Sequence, residues 1–205
     1  MTGKKVPTVL MVLDGWGVST GDGKDAIAGA RKPVMDRLMK HYPATTLGAA
    51  GQDEGLPDEQ IGNSEVGHLN LGAGRIVYQD FTRISNAIQS GEFFQNPVLM
   101  EAFDAVKRGS GRLHIMGLMS DGGVHSHIDQ IKALATMASQ NEVGAVFVHA
   151  FMDGRDTPPN SGLGYIKEIQ DHLGSIPRAR LATVAGRFYP MDRDNRWERV
   201  ERGYN

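Results

Sequence analysis

The sequence predicts an α/β protein built on parallel sheet. Three observations carry that expectation. Beyond residue 110, apolar runs of strand length alternate with amphipathic stretches of helix length. Three successive strands end in polar loops, Ser120-Asp121-Gly122-Gly123-Val124-His125-Ser126-His127, Asp153-Gly154-Arg155-Asp156 and Gly186-Arg187. Near the start, the apolar run Thr8-Val9-Leu10-Met11-Val12-Leu13 leads into an Asp-Gly pair. Strand–helix alternation implies right-handed βαβ crossovers, which make neighbouring strands parallel. The loops that follow such strands gather at the carboxyl edge of the sheet, where ligands bind.

In chain order, Val6–Leu13 reads as a strand buried on both faces, with Asp14 at its carboxyl end. Residues 30–41 read as a helix. Pro33 sits in its first turn, Val34 and Leu38 lie four apart, Lys40 and His41 close it, and Pro43 stops it. The glycine-rich stretch 48–63 is a long loop delivering Ser64, and a short helix then runs to Leu71 before Gly72-Ala73-Gly74. Ser64 suits a helix N-cap, and the unpaired N–H groups of the first turn would face a phosphoryl group on its Oγ. From this stretch alone, capping is the stronger reading. A change of character near Arg75–Asp80 divides residues 1–76 from 77–205.

The second part opens with Asn96-Pro97, a helix start that puts Leu99, Phe103 and Val106 on one face. Lys107-Arg108-Gly109 closes it with cations and a C′ glycine. Leu113–Met119, Ala145–Phe151 and Arg180–Ala185 are the strands. Between them lie a helix striped by Ile128, Ile131, Leu134, Ala135 and Ala138, and another over Ser161–Leu173 striped by Leu163, Ile166, Ile169 and Leu173. Arg193–Asn205 has helical character.

Composition narrows the function. A formal net charge of -2 over 205 residues leaves no footprint for nucleic acid or an anionic membrane. No stretch approaches the ~20 apolar residues of a membrane span, and the N-terminus lacks the apolar region of a signal peptide. The chain has no cysteine, which excludes disulfides and suits a reducing, cytoplasmic compartment. Glycine is abundant, 26 residues, and it sits beside carboxylates at strand ends, where backbone approaches a ligand.

The candidate chemistry is anionic. Residues 178–205 hold seven arginines against four acidic groups, and Arg187 and Arg193 lie in or beside a loop, suited to gripping an anion with a planar guanidinium. Arg155 could hold an anion while Asp156 accepts a hydroxyl proton, although a surface ion pair would read the same. His125 suits donation to a phosphate better than a His-x-His metal site with His127. Asp14 and Ser64 could share a cation that favours the serine alkoxide, but two oxygens are too few ligands for it. His68, Asp80, Met35 and the methionine-rich segment 116–119 are expected to be structural.

Together, Val12-Leu13-Asp14-Gly15-Trp16-Gly17, Gly62-Asn63-Ser64-Glu65-Val66-Gly67-His68, the 120–127 and 153–159 motifs and Ala185-Gly186-Arg187-Phe188-Tyr189 closely resemble the cofactor-independent phosphoglycerate mutases. The resemblance covers essentially the whole chain, with the motifs in the family's order. It implies the start of an alkaline-phosphatase-like domain (1–76) followed by part of a βαβ-type transferase-like domain (77–205). It implies interconversion of 3-phosphoglycerate and 2-phosphoglycerate, with Ser64 as the nucleophile that becomes phosphorylated. Asp14 and Ser64 would bind Mn2+, with two divalent ions expected in full-length members. His125, Arg155, Asp156, Arg187 and Arg193 would bind the substrate, with Asp156 as acid/base, inside a two-domain clamp that excludes water.

Family members are much longer, so the resemblance makes this chain an N-terminal portion. The remainder would supply a lysine, further arginines and most of the metal ligands. The 205 residues alone are expected to lack mutase activity, and the full-length protein to be a monomer without nucleic-acid or membrane partners. Two alternatives remain: a related metal-dependent phosphatase or phosphopentomutase, and a non-catalytic phosphoacid-binding module.

Overall fold

The computed structural model describes residues 7–13, 15–18, 25–58 and 60–205, and the chain divides into two units, Met1–Tyr78 and Gln79–Asn205.

In the first unit, residues 7–13 form no strand, and their apolar side chains lie in solvent, Val9 at 82% exposure. This corrects the buried strand expected there. An apolar run becomes a strand only beside ladder partners, and among the described residues of this unit the sole pairing is an isolated bridge, Ala50 to Ile61. Helix α1 (Ala26–Gly29) is one turn capped by Asp25, whose carboxylate accepts from the amides of Ile27 and Ala28. Helix α2 (Pro33–His41) starts at its proline rather than at residue 30 and ends at His41 as expected, but Val34 and Leu38 are exposed rather than packed.

The 48–63 stretch is more structured than a plain loop. A 3-10 turn, Gly51–Glu54, folds it, and the Gly51 amide donates to Gln60 O, placing Leu56 inside. Gly62 is required there: a Cβ would lie 2.4 Å from the Ala49 carbonyl oxygen. Helix α3 (Ser64–Ala73) follows and ends at Gly74, in the left-handed conformation with φ 65°.

The second unit carries the sheet. Helix α4 (Asp80–Ser90), absent from the sequence expectations, precedes a short 3-10 turn at Glu92–Gln95. Asp80 is exposed and pairs with Arg83 at 2.9 Å. Helix α5 (Pro97–Arg108) is capped by Asn96, which accepts from the Val98 and Leu99 amides. Gly109 closes it as expected, with φ -97°, outside the left-handed region. Strand β1 (Arg112–Met119), helix α6 (Ile128–Gln140), strand β2 (Ala145–Met152), helix α7 (Gly162–Gly174), strand β3 (Ala179–Gly186) and helix α8 (Trp197–Tyr204) complete the chain.

The three strands are parallel in the order β1-β2-β3, as alternation with helices requires. Ile115, Met119, Val146, Val148 and Ala150 form one core with Phe103 of α5, Ile131, Ala135 and Met137 of α6, and Ile169 and Leu173 of α7. Met116 is exposed, so the methionine-rich segment is only partly core, and Leu163 is exposed despite falling on the α7 stripe. Between Val148 and His149 the β2–β3 register shifts by one residue, Val148 pairing Leu181 and His149 pairing Thr183. Beyond that irregularity Met119, Met152 and Gly186 stand in one row across the sheet. Among the described residues, no helix is long and apolar enough to cross a membrane.

Candidate functional site

The residues that follow the three aligned strand ends are Ser120, Asp153 and Arg187, and their side chains meet. The Asp153 side chain is 1% exposed. Its Oδ2 accepts from the Ser120 hydroxyl at 2.7 Å, and its Oδ1 accepts from the amides of Arg155 (3.1 Å) and Asp156 (3.0 Å). Arg187 Nη1 donates to the same Oδ1 at 2.8 Å and to Asp156 Oδ2 at 2.6 Å. Burial pushes the Asp153 carboxyl up. The Ser120 hydroxyl, the two amides and Arg187 outweigh it and bring the pKa down to about 2. Burial likewise pushes Arg187 down, and its two carboxylate partners outweigh that and raise it.

This hub folds the 153–156 turn and aims what it carries. His125, Asp153, Arg155, Arg187 and Arg193 line one cleft of about 810 Å³ at the carboxyl edge of the sheet, with Phe188, Asp192 and Arg199. Asp156 reaches it through Arg187, and its Oδ2 lies 3.9 Å from His125 Nε2. Arg155 and Arg193 form no ion pair with a described residue, whereas Arg187 is matched by two carboxylates. The cleft, which Asp194 also lines, therefore presents two guanidiniums without an ion pair to a described residue, each with paired N–H donors suited to phosphate or carboxylate.

Neighbouring contacts are structural. His127 caps α6, its Nδ1 accepting from the Asp129 amide at 3.2 Å, and its ring meets Phe81 edge-on. The Tyr165 hydroxyl of α7 donates to Asp121 Oδ1 at 2.5 Å, which steadies the loop bearing His125.

Ser64 lies in the first unit and departs from expectation. The N-cap of α3 is Asn63, which accepts from the Val66 amide at 3.0 Å; Ser64 is the first helical residue, with an exposed hydroxyl. Asn63 takes the capping bond that would otherwise have drawn on the Ser64 oxygen. His68, expected to be structural, is exposed on the same face. Its Nδ1 lies 2.7 Å from the Ser64 carbonyl and 3.1 Å from Ser64 Oγ. A carbonyl only accepts, so Nδ1 carries the proton and is not a base towards Ser64 Oγ in this arrangement.

Residues 84–205, more than half of the chain, match the family described as BPG-independent PGAM N-terminus. The chain belongs to that family. It is 52% identical over 201 residues to the 2,3-bisphosphoglycerate-independent phosphoglycerate mutase of Clostridium novyi and 56% identical to that of Clostridioides difficile. Each match covers 98% of this chain and 39% of the relative. The chain thus spans about two fifths of the length of these relatives. A solved Leishmania mexicana phosphoglycerate mutase, crystallised at low cobalt concentration, aligns with TM-score 0.62 at 36% identity, over 94% of this chain and 37% of that one.

Asp14, one expected ligand, lies outside the described residues. Among the described residues no group of three or more His, Cys, Asp or Glu is placed to hold a metal ion. Ser64 has one side-chain oxygen to offer, whereas a hard divalent cation takes about six. These residues do not by themselves make a metal site.

Sequence reasoning places Ser120 and Asp153 in the strand-end loops without a role of their own, yet they organise Arg155, Asp156 and Arg187. A signal was present: each is the first polar residue after an apolar strand.

Proposed function

We propose that this chain is the substrate-holding portion of an enzyme that interconverts 3-phosphoglycerate and 2-phosphoglycerate, and that it has no mutase activity alone. The observation that carries the proposal is the cleft with two unpaired arginines, Arg155 and Arg193, beside an arginine fixed by Asp153 and Asp156. A phosphoglycerate carries two anionic ends, a phosphate and a carboxylate, which those guanidiniums complement. His125 adds a donor.

In the proposed cycle Ser64 enters as its alkoxide and Asp156 with a protonated carboxyl; Ser64 Oγ attacks phosphorus in line, the bond from phosphorus to the glycerate oxygen breaks, and that oxygen takes the Asp156 proton. The glycerate turns over within the cleft. Its other hydroxyl then attacks the phosphoserine, gives its proton to Asp156 and releases Ser64 Oγ. Asp156 Oδ2 is engaged by Arg187, which leaves Oδ1 to face a hydroxyl. Asp14 and Ser64 would supply part of a divalent-cation site, with Mn2+ the expected ion, which would stabilise charge on the serine oxygen. The proposal includes the domain assignment, residues 1–76 as the beginning of an alkaline-phosphatase-like domain and 77–205 as part of a transferase-like one. It also includes a cytoplasmic setting and a monomeric full-length enzyme without nucleic-acid or membrane partners, which the lack of cysteine and the near-neutral charge support.

The test is titration calorimetry with 3-phosphoglycerate on the purified chain beside a coupled turnover assay with Mn2+. Saturable binding without turnover is expected. Absence of binding would overturn the substrate site, and turnover would overturn the claim of inactivity.

A further inference from the structure

Arg193 lines the cleft from the segment between β3 and α8, and the chain around it is held in an unusual way. Beyond β3, the Met191 amide donates to Arg187 O at 3.1 Å, and the chain then passes through Asp192-Arg193-Asp194-Asn195-Arg196 into α8. Asn195 has φ 59°, a left-handed conformation that costs a non-glycine residue free energy unless its surroundings enforce it. What enforces it is Asp192. Its side chain is 2% exposed, and its Oδ2 accepts from the Asp194 amide at 3.1 Å and the Arg196 amide at 2.9 Å, on either side of Asn195. Its Oδ1 receives Arg199 Nη1 at 3.3 Å. The Arg199 guanidinium lies 4.4 Å over the ring of Phe188, the residue after Arg187. The Arg196 amide chiefly holds the Asp192 carboxyl below the usual carboxylate range; the Asp194 amide and Arg199 add to this, against burial.

We propose that Asp192 and Arg199 are positioning residues for the anion site. The buried carboxylate ties down the backbone that flanks Arg193, and Arg199, clamped on Phe188, ties that carboxylate to the end of β3. The Arg193 guanidinium, itself unpaired, is thereby presented to the cleft before any ligand arrives. A loop already ordered loses less entropy on binding, so affinity rises without a new contact. This inference rests on the reading of the cleft as a phosphoglycerate site and adds how one of its arginines is aimed.

The test is a double-mutant cycle on the 205-residue chain, with 3-phosphoglycerate binding followed by calorimetry. Asp192→Ala weakens binding by about tenfold, the fold-change that loosening one or two side chains and their loop produces. Asp192→Asn, which keeps an oxygen for the two amides, restores most of it. In an Arg193→Leu background Asp192→Ala has little further effect, because no guanidinium remains to be aimed. A purely structural role would weaken binding equally in both backgrounds, and that result overturns the proposal. If Asp192→Ala does not fold, Arg199→Leu replaces it in the same cycle with the same criteria. Amide exchange at Asp194 and Arg196, read without ligand, accelerates in Asp192→Ala; unchanged exchange also overturns the proposal. Wild-type binding that Asp192→Ala leaves intact defeats this inference alone. Failure of the wild-type chain to bind defeats the functional reading, and this inference with it.

Discussion

Arg187 and Asp153 stand at the ends of adjacent strands, and Arg187 Nη1 lies 2.8 Å from Asp153 Oδ1. The same nitrogen reaches Asp156 at 2.6 Å, so one guanidinium joins the strand end to the turn that carries the proposed acid/base. Four donors converge on a carboxylate that is almost fully enclosed. Such a group stabilises the native state only while its partners are present; remove one and a buried charge is left without compensation.

Arg187→Met is therefore expected to destabilise the chain by about 3 kcal/mol, the usual cost of stripping one partner from a buried pair. Urea unfolding measures it. A loss under about 1 kcal/mol, typical of exposed pairs, would show that the hub is solvated in solution.

The pH dependence has a definite sign. The folded pKa of Asp153 is depressed to about 2 from 3.8, so its contribution is present above pH ~4 and disappears as pH falls through about 2. The shift corresponds to roughly 2 kcal/mol. The difference in unfolding free energy between the wild-type chain and Asp153→Asn should be largest near neutrality and shrink over that acid window. A difference independent of pH between 5 and about 2 would exclude a depressed Asp153.

Arg155→Leu and Arg193→Leu should each weaken 3-phosphoglycerate binding by about tenfold or more, since each removes a charge-assisted contact of ~1.5–3 kcal/mol. Neither arginine is in an ion pair with a described residue, so thermal unfolding should barely move. Wild-type affinity should also fall with added salt. Retention of full affinity in both variants would place the anion elsewhere.

At α3 the two neighbouring polar residues should separate cleanly. Asn63→Ala removes the cap and should cost about 1 kcal/mol, visible as faster amide exchange at Val66. Ser64→Ala should stay within about 0.5 kcal/mol while leaving no acceptor for a phosphoryl group. Equal effects would mean that Ser64 shares the capping.

Much of the second unit was legible in the sequence because its signals are local. Apolar strands, striped helices and Asn96-Pro97 state their own structure, and alternation fixes the strand directions. Helix α4 is not legible in the sequence although its apolar positions are helically spaced, because no capping side chain marks its start at Gln79. The apolar run at 8–13 misled for a different reason: strand propensity describes how a segment fits a sheet, and the described first unit offers it no ladder. At the site, Arg155, Arg187 and Arg193 could be picked out by residue type and position. Asp153 could not be separated from an ordinary Asp-Gly turn, since its partners Ser120 and Arg187 are 33 and 34 residues away and meet it only through strand registration.

That registration depends on one residue. The shift between Val148 and His149 inserts Ala182 into β3 without a partner on β2, and everything beyond it slides by one position. Without the slip, Asp153 would face Gly186, and the guanidinium would fall one step further on, directed to the opposite side of the sheet. The irregular point in mid-strand thus works as a phase adjuster, about four residues upstream of the chemistry whose alignment it sets. Drawing Ala182 into regular pairing with His149 would carry Arg187 and the Arg193 loop out of step together, whereas deleting that unpaired residue would leave Thr183 on His149 and Arg187 beside Asp153. Geometric tolerance at this cleft is written into the length of a strand as much as into the residues that line it.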